Sequence, residues 1–75
     1  MKKTLSIITP TFNEEENIED LCKAVANQID KLNYDYEHIV IDNNSTDKTI
    51  KILRKLASNN KKLKIIINSR NFGHI

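Results

Sequence analysis

Two segments of the chain pass from a short apolar run into a polar turn and then into a helical pattern. They span residues 7–15 and 39–47. Tandem strand-to-helix switches of this kind indicate a parallel sheet with crossover helices. Because the turns that follow parallel strands lie at one edge of the sheet, where open α/β folds bind ligands, the same pattern also predicts where a site would lie.

The first switch predicts a strand over residues 5–9, which Pro10 ends because proline lacks a backbone donor. Asn13 is expected to cap a helix over about residues 14–32, and Glu16 to complete a capping box. One apolar stripe of this helix would be buried, formed by Ile18, Leu21, Cys22, Val25, Ile29 and Leu32.

The second switch predicts a strand over residues 36–42 and a helix that ends at residues 59–60. Either Asn44 or Ser45 is expected to cap this helix. A continuous β-branched run predicts a third strand over residues 63–67. The order β-α-β-α-β gives a three-stranded parallel sheet with right-handed crossovers. The unbroken apolar run in the second strand is typical of a strand covered on both faces.

The chain has 75 residues and forms one domain at most. Chains of this size bury only about 60% of their unfolded surface, so the core is marginal and one face of the sheet is expected to be poorly covered. The last residues, 68–75, follow a strand without a closing helix. We therefore expect residues 1–75 to be the incomplete N-terminal part of a longer protein, whose open sheet edge could pair two chains into a dimer.

A net charge of +2 gives no case for nucleic-acid binding. One basic cluster is present, formed by Arg54, Lys55, Lys61, Lys62 and Lys64. It has two interpretations, a solvated helix end with an edge strand, or a patch that faces an anionic membrane surface.

The single cysteine, Cys22, excludes a disulfide-stapled secreted scaffold, and its position on an apolar helix face predicts a buried core thiol. No apolar run approaches the roughly 20 residues that span a membrane. The apolar stretch near the N-terminus is too short for a signal peptide. We expect a cytoplasmic protein.

The carboxyl ends of the strands should bring residues 10–14, 42–45 and 69–73 to one crevice. Free backbone N–H groups at two helix starts would favour anionic ligands such as phosphates there. Phe12 could offer a flat face to a base, and Asp42 could accept hydrogen bonds from it. Each feature also has a purely structural interpretation. Asn13, Asn44 and Ser45 could be helix caps, Phe12 a hydrophobic staple, and Asp42 a turn residue.

Three stretches resemble motifs of the family 2 glycosyltransferases, which have the Rossmann-like GT-A fold. Residues 10–14, Pro-Thr-Phe-Asn-Glu, resemble Pro-x-Tyr/Phe-Asn-Glu. Residues 41–49, Ile-Asp-Asn-Asn-Ser-Thr-Asp-Lys-Thr, resemble Val-Asp-Asp-Gly-Ser-Thr-Asp-x-Thr. Residues 69–74 resemble a stretch typical of dolichyl-phosphate mannose synthases and bacterial polyprenyl-phosphate sugar transferases. The resemblance implies an α/β fold that is half of a GT-A domain.

The resemblance implies that the nucleotide of a UDP- or GDP-sugar is held by Pro10, Phe12, Glu14, Asp42, Asn43 and Arg70. Asn43 stands where the family commonly has a second Asp, and its amide can both accept and donate. Asn44 replaces the usual Gly, which is tolerable because Asn enters left-handed backbone conformations readily.

The resemblance also implies an inverting enzyme that transfers a sugar to a lipid phosphate or a growing surface polysaccharide at the inner face of a membrane. Family members hold Mg²⁺ or Mn²⁺ with an Asp-x-Asp motif, which these residues lack, and no further acid is placed to act as the base. We therefore assign no catalytic residue or metal ligand to this chain and expect it to be inactive alone.

Two other classes of protein remain open. A dinucleotide-binding dehydrogenase lacks support because no Gly-x-Gly-x-x-Gly follows the first strand. A non-enzymatic nucleotide-binding or receiver-like module would use Asp42 as a phosphoacceptor, although the acidic pair expected beside it is absent.

Overall fold

The computed structural model describes residues 4–32 and 34–68, which form a parallel sheet and two helices in the predicted order. The elements are β1 (Thr4–Thr11), α1 (Ile18–Asp30), β2 (Asp35–Asp42), α2 (Thr49–Ser58) and β3 (Leu63–Ile67). The strands lie in the order β1-β2-β3, and both neighbouring pairs are parallel. The predicted α/β class, the β-α-β-α-β order and the three-stranded parallel sheet are confirmed.

Both helices cover the same face of the sheet. Residues of α1 and α2 share one apolar cluster with residues of β2 and β3, formed by Ile18, Cys22, Val40, Leu53 and Leu63. The predicted stripes supply this cluster because residues three and four apart lie on one side of a helix. Cys22 is a buried core thiol, as predicted, and burial raises its pKa.

The opposite face of the sheet carries exposed apolar side chains. Ile8 of β1 is 60% exposed and Ile66 of β3 is 51% exposed. Their register neighbours on β2, Ile39 and Ile41, are half-buried, whereas Val40 between these two is fully buried under the helices. In the described part of the chain only one face is covered, so the poor cover predicted from chain length is confirmed. The expectation that β2 is covered on both faces is wrong for these residues.

The predicted ends of the first strand and first helix need correction. Pro10 does not end β1, which continues to Thr11. Because β1 is an edge strand of the described sheet, a proline there costs no ladder hydrogen bond. The first helix begins at Ile18 and ends at Asp30, so Leu32 is left 52% exposed instead of buried.

The second helix also begins later than predicted, at Thr49, so neither Asn44 nor Ser45 is its N-cap. Its end at Ser58 and the bounds of the third strand agree with the sequence-based prediction. The helix starts were therefore misplaced while the helix ends and strands were largely found, and the cause lies in the two loops described next.

Candidate functional site

The carboxyl ends of the three strands form one edge of the sheet. Thr11, Asp42 and Ile67 are register neighbours across it. The ladder continues one step further, because the Asn43 N–H donates to the Thr11 carbonyl at 2.9 Å and the Asn68 N–H donates to the Asp42 carbonyl at 2.7 Å. Phe12, Asn43 and Asn68 therefore follow the three strand ends as a row, which we call the edge row.

Beneath the edge row lies the carboxylate of Asp42, with 0% of the residue exposed. It accepts hydrogen bonds from the Thr11 hydroxyl at 2.9 Å, the Ser45 N–H at 2.7 Å and the Ser45 hydroxyl at 2.6 Å. A buried carboxylate is tolerated only when such donors replace water. Asp42 thus fixes the turn that leaves β2 and joins it to the end of β1.

Asn13 joins the loop after β1 to the loop after β2. Its N–H donates to the Ser45 hydroxyl at 2.8 Å, and its side-chain carbonyl accepts from the N–H groups of Thr46 at 2.8 Å and Asp47 at 3.3 Å. Its backbone has φ 50°, in the left-handed region that Asn enters more readily than most residues. The predicted capping box is therefore wrong, because Asn13 binds the other loop and the N-cap of α1 is Asn17.

A second set of hydrogen bonds ties the same loops together nearer the start of α2. The Glu14 N–H donates to the Thr49 hydroxyl at 2.8 Å, and the Lys48 N–H donates to a carboxylate oxygen of Glu15 at 2.9 Å. Asp47 accepts from the Thr49 N–H at 2.9 Å. We call the hydrogen bonds between residues 12–17 and 43–49, with those inside each loop, the loop latch.

The pKa of Asp47 reports how firmly the loop latch holds this carboxylate. Partial desolvation raises the pKa, but hydrogen bonds from the hydroxyl and N–H of Thr49 and from the N–H of Glu15 outweigh it, and the pKa is lowered. Asp47 therefore stays charged to a lower pH than an ordinary aspartate.

The loop latch overturns one prediction about the crevice. The N–H groups of Asn13, Glu14 and Ser45 all donate to side chains of the loops or of Asp42, so they are not free for a phosphate. The pocket beside them is lined by carboxylates and amides, those of Asn13, Glu14, Glu15, Glu16, Asn17 and Asp47. Such a pocket repels an anion.

The edge row is more accessible than the carboxylate below it. Phe12 is 52% exposed, so it does not pack as a hydrophobic staple. Asn43 is half-buried, and its side-chain carbonyl accepts from the side-chain amide of Asn68 at 3.2 Å. Asn44 has φ 62°, which confirms the predicted left-handed conformation at the usual Gly position. The turn therefore exposes a ring and two amides.

A comparison with family models identifies the family. The model described as "Glycosyl transferase family 2" matches residues 6–75. The chain belongs to glycosyl transferase family 2. The resemblance seen in the three motifs is thereby confirmed, and the sheet with its two helices is consistent with half of a Rossmann-like GT-A domain.

Curated relatives carry glycosyltransferase names. An uncharacterized glycosyltransferase of Synechocystis sp. is 41% identical over 69 residues, which cover 92% of this chain and 22% of that protein. A dolichol-phosphate mannosyltransferase of Pyrococcus furiosus is 41% identical over 54 residues, 72% of this chain and 15% of that protein. An undecaprenyl-phosphate 4-deoxy-4-formamido-L-arabinose transferase of Proteus mirabilis is 34% identical over 71 residues, 92% of this chain and 22% of that protein.

The family 2 chain spans about a fifth of the length of curated relatives that it matches, 22% of the Synechocystis protein and 21% of a putative glycosyltransferase of Bacillus subtilis. Within residues 4–32 and 34–68, neither helix is long and apolar enough to cross a membrane. In the same residues no group of three His, Cys, Asp or Glu side chains is placed to hold a metal ion.

The edge contains most of the residues to which the family resemblance gives a nucleotide role. Pro10, Phe12 and Glu14 are exposed, Asn43 is half-buried and Asp42 is fully buried. Arg70 lies outside the described residues. These roles remain predictions.

Two features of the site escaped sequence reasoning. Asn68 lies directly after β3, and the rule that parallel strands end at one edge could have placed it beside Asn43. The bridge made by Asn13 had no sequence signal, because its partners lie more than thirty positions away (33 for Thr46).

Proposed function

We propose that this chain binds the nucleoside part of a nucleotide-diphosphate sugar at the edge row, as the donor site of an inverting glycosyltransferase. The observation that carries the proposal is the edge row itself, in which an exposed aromatic residue and two hydrogen-bonded amides follow neighbouring strand ends that the loop latch fixes. An aromatic face can stack on a base, and amides can bind its polar edge.

The amide pair suggests what kind of base edge would bind. The carbonyl of Asn43 accepts from Asn68, so the Asn43 NH₂ group is directed to other acceptors and the Asn68 carbonyl to other donors. A base edge with a carbonyl next to an N–H complements this pair. Uracil and guanine both have such an edge, in agreement with the UDP- or GDP-sugar implied by the family.

Asp42 enters the proposal as a positioning residue. A direct contact with the nucleotide would require its carboxylate to leave the donors of Thr11 and Ser45. Glu14 is exposed beside Phe12 and is proposed to accept from a ribose hydroxyl. Pro10 would shape the wall below Phe12, and Arg70 would meet the nucleotide or a phosphate.

In this proposal the diphosphate and the metal do not bind in the pocket beside the edge row. The pocket beside the edge row is lined by carboxylates, including Glu15 and Asp47, and would repel a diphosphate. When bound, Mg²⁺ or Mn²⁺ would neutralise the leaving diphosphate. We propose that residues outside this chain hold the metal and supply the base, so that the chain alone transfers no sugar.

The acceptor is proposed from the relatives. Two carry names that specify a lipid phosphate, dolichol phosphate and undecaprenyl phosphate. We propose that the acceptor is a lipid phosphate or a growing surface polysaccharide, and that the enzyme acts at the inner face of a membrane. Pairing of two chains through an edge strand of the sheet remains a separate prediction.

Amide NMR spectra of the chain during a titration with UDP, with GDP and NAD in parallel, test the proposal. We expect shifts confined to residues 12–14, 43–45 and 68 with UDP or GDP, and none there with NAD. Dispersed spectra that respond to neither UDP nor GDP would contradict the proposed site. Shifts with NAD alone would favour the dehydrogenase class.

Sugar transfer is tested separately, with a UDP- or GDP-sugar and a polyprenyl phosphate. We expect no turnover by this chain. Turnover by the purified chain would contradict the proposal that metal ligands and base lie elsewhere.

A further inference from the structure

Charge is strongly segregated along this chain. All 10 acidic residues lie between Glu14 and Asp47, and none follows Asp47. After Asp47 the charged residues, including those of α2 and β3, are all Lys or Arg, and one histidine is also present. Such asymmetry between two parts of a chain points to an anionic partner for the basic part.

The fold gathers four of these cations on one side of α2. Lys48, Lys51 and Lys55 follow each other at spacings of three and four, so they form one stripe, and Arg54 flanks it. All four are exposed. The stripe lies opposite Leu53, which is fully buried against the sheet. We call this stripe the basic face.

No salt bridge within the described part of the chain involves the basic face, although the Glu15 carboxylate accepts from the Lys48 backbone N–H. The ion pairs there join Lys23 to Glu19 and Lys62 to Asp35, and none involves the basic face. Like charges three and four residues apart disfavour a helix, and Lys48 stands at the helix N-terminus, where a cation is unfavourable. All four side chains are exposed, so their mutual repulsion opposes the formation of α2.

The outer side of α1 provides a comparison within the same layer. It exposes Asp20 and Asp30 together with Lys23 and Lys31, so its charges alternate in sign. That mixture is what a solvated helix face normally carries. The basic face differs in having one sign only, and it therefore does not resemble an ordinary solvated face.

We propose that the basic face of α2 docks the protein on the surface of an anionic lipid bilayer. Because α2 begins at the carboxyl edge, Lys48 lies on the same edge as the loop latch. A flat row of unpaired cations without aromatic residues suits a diffuse anionic surface. The choice of lipid over another polyanion rests on the lipid acceptor in the proposed function.

Vesicle sedimentation with the full chain tests this proposal without nucleotide. The vesicles contain about one part phosphatidylglycerol to three parts phosphatidylcholine, and pure phosphatidylcholine serves as the neutral control. We expect binding to the anionic vesicles only, and weaker binding as salt is raised. Equal binding to both vesicles, or to neither, would overturn the proposal.

Two double variants with the same net charge distinguish the effect of the basic face on vesicle binding from the effect of net charge. Lys51→Gln with Lys55→Gln removes two cations from α2, and Lys23→Gln with Lys31→Gln removes one from α1 and one from its C-cap. Each cation at an anionic surface contributes about fivefold, so the α2 variant should lose about 25-fold in vesicle affinity. The α1 variant should lose far less. Equal losses in both variants would overturn a face-specific docking site.

Glutamine is a good helix former, so both variants should fold, and far-UV circular dichroism checks this. Displacement of the chain from vesicles by duplex DNA at equal phosphate concentration would favour a nucleic acid as the partner of the basic face. That result would overturn the proposal of a lipid surface. Because no nucleotide is present, failure to bind vesicles leaves the UDP titration unaffected, and a failed UDP titration leaves the vesicle result unaffected.

Discussion

The two ends of β2 differ sharply, although each carries an aspartate. At the carboxyl end Asp42 is fully buried and accepts three hydrogen bonds from Thr11 and Ser45. At the amino end Asp35 is exposed and pairs with Lys62 at 3.0 Å. Buried charge-assisted bonds fix geometry, whereas exposed ion pairs contribute little. The difference teaches that rigidity in this sheet is concentrated at the edge that we propose binds the nucleotide.

Alanine substitutions of Asp42 and Asp35 should give the largest effect that tests this contrast. Asp42→Ala leaves the buried donors of Thr11 and Ser45 without an acceptor and should lower the free energy of unfolding by about 3 kcal/mol. Asp35→Ala should lower it by less than about 1 kcal/mol. Urea denaturation followed by circular dichroism measures both. Equal losses in the two variants would refute the contrast between the two ends.

The asparagines with positive φ provide the next largest effect. Asn13→Ala loses both the acceptor for Thr46 and Asp47 and the tolerance for φ 50°, and should cost about 2 kcal/mol. Asn13→Gly keeps the backbone freedom and should cost about 1 kcal/mol. The same denaturation experiment applies, with amide shifts of Thr46 and Asp47 as a local readout.

Asn44→Gly is the control for Asn13. Asn44 shares the positive φ, but its side chain forms no hydrogen bond with the described residues. Glycine at this position should therefore change the stability by less than about 0.5 kcal/mol. If Asn13→Gly were equally neutral, the Asn13 side chain would have no part in the loop latch.

This region also shows what the sequence could predict. Strand β3, the end of α2 and the apolar stripes follow from local patterns of Val, Ile and Leu. The starts of both helices do not, because the N–H groups of Asn13 and Glu14 find partners in Ser45 and Thr49 across the edge. A local capping rule cannot see a partner from another loop, and the same limit hid the burial of Asp42.

The sequence motifs predicted some residues of the edge row but not the contacts between them. The motifs named the family and led to Phe12 and Asn43, which the structure brings together in the edge row. They could not show that Asn68 would engage the carbonyl of Asn43, because that contact depends on the register of β3 against β2. The prediction of free N–H groups failed for the same reason, since their partners come from tertiary structure.

His38 lies in the middle of β2, between the two aspartates, and its titration should make the stability of the chain depend on pH. It is 3% exposed and within 2.9 Å of the Thr9 hydroxyl, and burial lowers its pKa from 6.5. The unfolded chain then binds more protons than the folded chain below pH 6.5. Stability should be fully present above that pH and fall as the pH drops from there through the lowered pKa.

The pH dependence of unfolding between about pH 7 and pH 5, where most carboxylates stay charged, measures this effect. His38→Gln keeps a hydrogen-bonding partner for Thr9 and removes the titration. Its stability should be nearly constant over that range. A slope that is unchanged in the variant would assign the pH dependence to other groups.

A small effect on the free energy of unfolding is expected at Lys62. Its ammonium group pairs with Asp35 and lies 4.7 Å from the centre of the Tyr36 ring. Because both partners of the ion pair are exposed, Lys62→Gln should cost less than about 1 kcal/mol, and the loss should shrink as salt is raised. A salt-independent loss as large as that of Asp42→Ala would make the amino end as rigid as the carboxyl end.

The most direct test of the nucleotide site compares two exposed aromatic residues of the described part of the chain, which lie at opposite ends of the sheet. Phe12 at the carboxyl edge is 52% exposed, and Tyr34 just before β2 is 44% exposed. The affinity for UDP is measured by NMR titration of Phe12→Ala and Tyr34→Ala beside the unmodified chain. If the edge row stacks on the base, Phe12→Ala should weaken UDP binding by about tenfold, and Tyr34→Ala should leave it unchanged. Equal affinity in all three proteins, or no binding by the unmodified chain, would contradict a nucleotide site at the edge row.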